Sequence, residues 1–143
     1  MPTILFALAA ILNSLVALLH FVAIYIGGSA YRSLGAGETL ATAADNGSFL
    51  PGILTGLIGF VFTAFGLYAL SGGGFTPPLP YLAPALYAIS ALYCARGLGL
   101  LGFIVPWYQM TRFDVITSFV SLLIGLTHLA ALRLSGIALP TLS

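Results

Sequence analysis

Arg96 and His20 are the side chains best placed for chemistry, because each lies inside a long apolar stretch. An arginine within hydrocarbon costs about 2.5–3.5 kcal/mol, so it needs a partner or a function. We expect an inward-facing cation at the base of a pocket, with Glu38 as its first counter-ion and Asp114 as its second. His20 shares a helix face with Asn13, so it should point inward as a proton donor, an acceptor or a ligand contact.

Each of these residues also has a purely structural interpretation. Arg96 could extend toward the membrane surface, or bond free carbonyls around Gly97 and Gly99. His20 could be a core histidine that is satisfied by a carbonyl or hydroxyl of a neighbouring helix. Both interpretations stay open at the level of the sequence.

A metal or haem site is not expected. His128 continues a stripe of small residues from Ser121 and Gly125, so it also faces inward, but at a different depth from His20. Two histidines at different depths do not readily share one haem, and no HxxxH or ExxH motif occurs. Cys94 is the single cysteine, which excludes thiol–disulfide chemistry within this chain. We therefore expect no cofactor.

The long connection of residues 27–50 supplies the other candidate ligand-binding residues, Tyr31, Arg32 and Glu38. Residues 31–33 could extend the first helix beyond the lipid. Residues 38–45 could form a short interfacial helix, with an acidic residue at its start and Gly47 after its end. A loop of this length in a small membrane protein is more often functional than idle.

Four apolar runs must position these groups, and they predict an all-α integral membrane four-helix bundle in a single domain. The runs cover residues 3–26, 51–70, 81–105 and 115–134, each about the 20 residues that cross ~30 Å of hydrocarbon. Both termini then lie on the same side. Arg32 and Arg112 favour a cytoplasmic location for the opposite side, with Trp107 and Tyr108 at its interface.

Small residues recur on the second span at alternating spacings of four and three. In lipid, such a stripe lets helix backbones approach closely. We predict tight helix packing with the second span at its centre, although the same stripe could instead drive homo-oligomerisation. The stripe comprises Gly52, Gly56, Gly59, Thr63 and Gly66. Weaker stripes lie on the third span at Ala88, Ala91, Ala95 and Gly102 and on the fourth at Ser118, Ser121 and Gly125.

Composition restricts the partners. The chain is 60% hydrophobic, with four arginines, three acidic residues and no lysine. Nucleic-acid binding needs a basic surface, which a net charge of +1 does not supply. The expected partners are the lipid bilayer and a lipid or small amphiphilic ligand.

Three segments carry a resemblance: YRSLGAGE, FGLYALSGGGFTPPLP and YCARGLGL. They resemble those of small four-helix bacterial inner-membrane proteins to which no activity is attached. The resemblance implies a multi-pass location in the inner membrane. The candidate residues that it marks are Tyr31, Arg32, Gly35, Gly37, Glu38 and Arg96.

Three functions remain open at this point. The first is the binding or transport of a small or amphiphilic ligand in a pocket near Arg96. The second is a packing subunit of a membrane complex. The third is a small enzyme acting on a lipid, sterol or quinone-like substrate, with His20 or Glu38 as the acid or base. We favour binding or transport over catalysis.

Overall fold

A computed structural model describes residues 1–99 and 111–139 of the 143-residue chain. The regular structure of these residues is entirely helical. The predicted interfacial residues Trp107 and Tyr108 lie outside the described part. The helices are α1 (Pro2–Ile26), α2 (Gly28–Ser33), α3 (Glu38–Asp45), α4 (Leu50–Gly72), α5 (Leu82–Gly97) and α6 (Arg112–Ser135).

Three of these helices, α1, α4 and α6, are long and apolar enough to cross a membrane. They coincide with the predicted first, second and fourth spans to within a few residues. The protein is therefore a multi-pass membrane protein by the length and composition of its helices.

The helix of the third predicted span is shorter than the apolar run that predicted it. α5 ends at Gly97, whereas the run continues to residue 105. The helix stops because Gly99 adopts a left-handed conformation with φ 68°, and its N–H bonds the carbonyl of Arg96. Residues 100–105 lie outside the described part. Hydropathy therefore did not indicate where this helix ends.

The long connection contains two short helices. α3 has the predicted bounds, and Gly47 follows it at φ 79°. The predicted extension of the first helix through residues 31–33 is wrong, because Gly27 turns the backbone at φ 82° and α2 begins as a separate helix.

The chain divides into two compact units, one of residues 1–13 and 65–143 and the other of residues 14–64. The first unit contains α5 packed on α6. A Cβ at Gly97 would stand 2.7 Å from the Cα of Leu122, and one at Gly125 would stand 2.8 Å from the backbone N of Cys94. These two helices thus meet backbone to backbone, as small residues allow in lipid. A cluster of buried apolar residues in this unit comprises Phe6, Leu86, Ala131 and Leu132.

Burial differs from two expectations. α4 is the least buried of the three long helices and α6 the most, with 17% and 39% of their most apolar stretches buried. The predicted stripe on the third span is also misplaced, because Ala88 and Ala91 are exposed; its last member, Gly102, lies outside the described part. The face of α5 that is buried carries Ile89, Ser90 and Tyr93 instead, which are larger residues with specific contacts.

In the second unit, the glycine stripe of α4 contacts α1. A Cβ at Gly59 would meet the ring of Phe21 at 2.9 Å, so the ring packs directly on the α4 backbone. Gly52 and Gly56 face Ile24 at a looser 3.4 and 3.6 Å. Gly66, the last glycine of the stripe, belongs to the first unit and is buried.

The α5–α6 contact predicts a contrast between two glycine-to-alanine substitutions. Gly125→Ala should lower the free energy of unfolding by about 1–3 kcal/mol, since the new methyl group meets backbone that cannot move aside. Gly56→Ala should be neutral or stabilising by up to about 1 kcal/mol, since its methyl group finds ordinary contact and alanine favours helix. Thermal unfolding in detergent measures both, and equal midpoints would contradict the close approach of α5 and α6.

Candidate functional site

Arg96 lies in the last turn of α5 and reaches across to α6. Its Nη1 donates to the Ser118 hydroxyl at 2.7 Å, and its Nη2 donates to the Thr117 hydroxyl at 2.9 Å. Nη2 also lies 3.8 Å from a carboxylate oxygen of Asp114. A cation at the C-terminal end of a helix is further stabilised by the helix dipole. Arg96 therefore connects the end of α5 to the start of α6.

The two carboxylate oxygens of Asp114 have different partners: one caps the start of α6, and the other faces Arg96. Its Oδ2 accepts bonds from the backbone N–H and the hydroxyl of Thr111, whose hydroxyl in turn accepts from the Asp114 N–H. This capping box satisfies donors that the first turn of a helix leaves unpaired. The other oxygen, Oδ1, faces Arg96. Helix capping thus fixes the carboxylate in the position where the guanidinium meets it.

The expectation that Glu38 is the first counter-ion of Arg96 is wrong. Glu38 does not pair with Arg96 but is bonded by Arg32, six residues away in the same loop. The second choice, Asp114, is the carboxylate that Arg96 faces. A short sequence separation makes the Arg32–Glu38 pair inexpensive to form. The guanidinium of Arg96 is therefore bonded to side chains of α6 and is not a free cation.

A buried polar triad joins α1, α5 and α6 in the first unit. The Nδ2 of Asn13 lies 2.8 Å from the Ala9 carbonyl and 3.0 Å from Nε2 of His128. The hydroxyl of Tyr93 donates to Oδ1 of Asn13 at 2.8 Å. Asn13 and His128 are both 0% exposed, and Tyr93 is 5% exposed. Three polar side chains are thus enclosed among apolar helices, where partners are obligatory.

The hydrogen bonds of Asn13 determine the tautomer of His128. Only the amide NH₂ can face the Ala9 carbonyl, so Oδ1 is the atom that accepts from Tyr93. The second hydrogen of the NH₂ group points to His128 Nε2, which must accept it. A neutral imidazole that accepts at Nε2 carries its proton on Nδ1. Nδ1 is buried and has no hydrogen-bond partner among residues 1–99 and 111–139.

Aromatic packing fixes the rings of the triad. The Tyr93 and His128 rings are nearly parallel, at 15° with centroids 6.4 Å apart, and Phe65 meets Tyr93 edge-on at 6.1 Å. Nearby, the Ser90 hydroxyl donates to the carbonyl of Gly125. These contacts hold the imidazole in one orientation, so its Nδ1–H is a fixed donor.

The sequence indicated part of the triad. Asn13 and His128 were both predicted to face inward, and both are buried. Tyr93 was not identified, although a tyrosine near the middle of an apolar run is a signal of the same kind. Which of the three side chains meet depends on the axial positions of three helices, and no spacing within one helix reports it.

His20 is held by its own helix. Its Nδ1 donates to the Val16 carbonyl at 2.7 Å, and its ring lies against Phe62 with centroids 5.1 Å apart. The side chain is half-buried. This arrangement is that of a core histidine, but the carbonyl comes from α1 itself and not from a neighbouring helix as expected.

The loop residues of the second unit form a compact ionic cluster. Arg32 donates from Nε to both oxygens of Glu38 and from Nη1 to Asp45 at 2.8 Å. Gly28 lies directly beneath, and any side chain there would collide with the Asp45 carboxylate. Hydrogen bonding to Arg32 holds the pKa of the Glu38 carboxyl below its ordinary value, and the two carboxylates raise the pKa of Arg32. Tyr31 packs into this region at 3% exposure.

An apolar groove of about 440 Å³ lies on the same unit, between α1 and the first half of α4. It exists because Gly52 and Gly56 have no side chains to fill the space beside Ile24. Its lining residues are Ile24, Phe49, Gly52, Ile53, Gly56, Leu57 and Phe60.

Among the described residues, no three histidine, cysteine or acidic side chains come together in a way that could hold a metal ion. Comparison of the chain with protein-family models, with curated proteins and with solved structures finds no match.

The triad predicts an asymmetry between two tyrosine substitutions. Tyr93→Phe should lower the free energy of unfolding by about 0.5–2 kcal/mol, since it leaves Oδ1 of Asn13 without its donor in an apolar surrounding. Tyr87→Phe is the matched control, because the Tyr87 hydroxyl makes a longer bond, 3.3 Å, to the Ile137 carbonyl. Denaturant titration in micelles should show the smaller loss for the control, and the reverse order would contradict the triad.

The ionic cluster predicts an acid transition confined to the loop. Because the folded-state pKa of Glu38 is lowered, the stabilisation is complete above the ordinary carboxyl range and is lost as the pH falls through the lowered value. Amide hydrogen exchange of residues 28–45 should therefore accelerate below about pH 4 relative to that of α6. Glu38→Gln should exchange faster already at neutral pH, and an unchanged loop in both experiments would exclude this role.

Proposed function

We propose that the protein binds, within the membrane, a small apolar molecule that carries a hydrogen-bond acceptor such as a carbonyl oxygen. The donor is Nδ1–H of His128. This function retains the binding of a small or amphiphilic ligand that the sequence suggested, and it moves the contact from Arg96 to the triad of Asn13, Tyr93 and His128.

One observation carries the proposal: the Nδ1–H donor of His128 is wholly enclosed and unpartnered among the described residues. Leaving such a group without a partner costs about 1–3 kcal/mol. A ligand acceptor that meets it recovers this free energy. Tyr93 and Asn13 hold the ring so that the donor is oriented before the ligand arrives, which reduces the entropic cost of binding.

The ligand is inferred to be neutral. The three acidic residues of the chain are Glu38, Asp45 and Asp114, and each faces an arginine. His128 is 0% exposed, and a charge enclosed without a paired opposite charge is strongly disfavoured. A neutral imidazole presenting one N–H matches an oxygen acceptor on an otherwise apolar molecule. Such a molecule would reach the site from the hydrocarbon phase.

Binding is favoured over catalysis at this site. The Nε2 lone pair of His128 is occupied by Asn13, and the phenol proton of Tyr93 is donated to the same amide. Neither group is free to act as a general base. A role as a packing subunit has less support, since Gly59 in the glycine stripe is already in contact with Phe21.

The proposed membrane topology rests on the amino-acid sequence. The apolar run of residues 81–105 supports a fourth crossing of the bilayer, which would form a four-helix bundle with both termini on one side. The composition and the resemblance to small bacterial membrane proteins support a location in the inner membrane. Homo-oligomerisation remains compatible with the apolar outer faces of α1 and α4.

Magnetic resonance of the protein with isotope-labelled histidine tests the proposed donor directly. The chain has two histidines, so His20 serves as an internal control. Acetophenone should shift the Nδ1 resonance of His128 and leave His20 unchanged. Ethylbenzene, which has the same ring without the carbonyl, should shift neither. Equal shifts of the two histidines, or equal effects of the two compounds, would refute the proposal.

Variants then assign the site. His128→Phe should lose the preference for the ketone, a change of roughly fivefold in affinity for one neutral hydrogen bond. His20→Phe, the matched control, should retain it. Arg96→Gln should retain it as well, and a loss of the preference only in Arg96→Gln would return the site to Arg96.

A further inference from the structure

The ionic cluster of the loop keeps an excess of negative charge. One guanidinium, that of Arg32, faces the two carboxylates of Glu38 and Asp45. No lysine occurs in the chain to add a second cation. The carboxylates are 69% and 48% exposed, so one uncompensated negative charge faces the surroundings. A cation with hydrogen-bond donors is the complementary partner.

The lining of the apolar groove includes residues that flank this cluster in the sequence. Phe49, four residues after Asp45, lines the groove, and Ile24, three residues before Gly27, lines its other side. The side chains of Phe49, Leu57 and Phe60 are 85%, 59% and 67% exposed. An exposed apolar surface on a membrane-spanning helix meets hydrocarbon chains. The unit thus has an apolar groove and, at the loop, a negatively charged hydrogen-bond acceptor.

We propose that this unit binds a bilayer phospholipid with an ethanolamine headgroup. One acyl chain lies in the groove of α1 and α4, over Gly52 and Gly56. The ammonium group donates to the outer faces of Glu38 and Asp45. Ethanolamine is preferred to choline because a quaternary ammonium has no N–H to donate, and anionic lipids are disfavoured by the like charge.

Native mass spectrometry of the full chain, equilibrated with phospholipids of identical acyl chains, tests the assignment. Phosphatidylethanolamine should be retained about two- to fivefold more than phosphatidylcholine, as expected for an exposed ionic contact, with phosphatidylglycerol last. Equal retention of the three lipids, or a preference for phosphatidylglycerol, would overturn it.

The double variant Glu38→Gln with Asp45→Asn reverses the charge of the loop, because it leaves Arg32 unpaired. The order should then invert, with phosphatidylglycerol retained above phosphatidylethanolamine. An ethanolamine preference that survives in this variant would overturn the headgroup site.

Gly56→Leu tests the groove. It should reduce retention of every phospholipid, because the new side chain occupies the space of the acyl chain. Ala91→Leu is the control, since it adds similar bulk on an exposed face of α5 outside the groove. Equal retention in the two variants would overturn the placement of the chain.

Discussion

The close contact of α5 with α6 positions both polar clusters of the first unit. Gly97 and Gly125 bring the two backbones together because neither has a side chain. At this separation, Arg96 reaches the first turns of α6, and Tyr93 stacks beside His128. A larger residue at either glycine would separate the helices and lengthen these contacts together. One steric constraint therefore supports the ionic connection near the helix ends and the buried triad.

The apolar surroundings explain why the polar contacts are so fully formed. Arg96 donates hydrogen bonds to two hydroxyls and faces a carboxylate, all from α6. Asn13 uses three hydrogen bonds to satisfy its own amide and to fix two rings. In the first unit the Nδ1–H of His128 differs from these groups, because it is enclosed with no partner among the described residues. This enclosed donor is the observation on which the proposed ligand contact rests.

In the loop, pairing between residues close in sequence determines the partner of Glu38. Glu38 was assigned to Arg96, but Arg32 lies closer along the chain and binds Glu38 and Asp45 simultaneously. The cluster forms between α2 and α3, and Gly28 gives it room. Its remaining charge is negative, opposite in sign to Arg96, the cation around which the sequence predicted a ligand pocket. The proposed preference for a headgroup with an ammonium group follows from that sign.

The sequence by itself determined the membrane class, three spans, the bounds of α3 and the inward orientation of Asn13 and His128. Transfer free energy depends on composition, and helical periodicity reports which face is buried, so one segment suffices for each. The tertiary structure alone decided that Arg96 meets Asp114, that Tyr93 joins the triad and that α6 is more buried than α4. These outcomes depend on which helices are neighbours and on how far each is shifted along its axis. That information lies in the contacts between segments, and no single apolar run contains it.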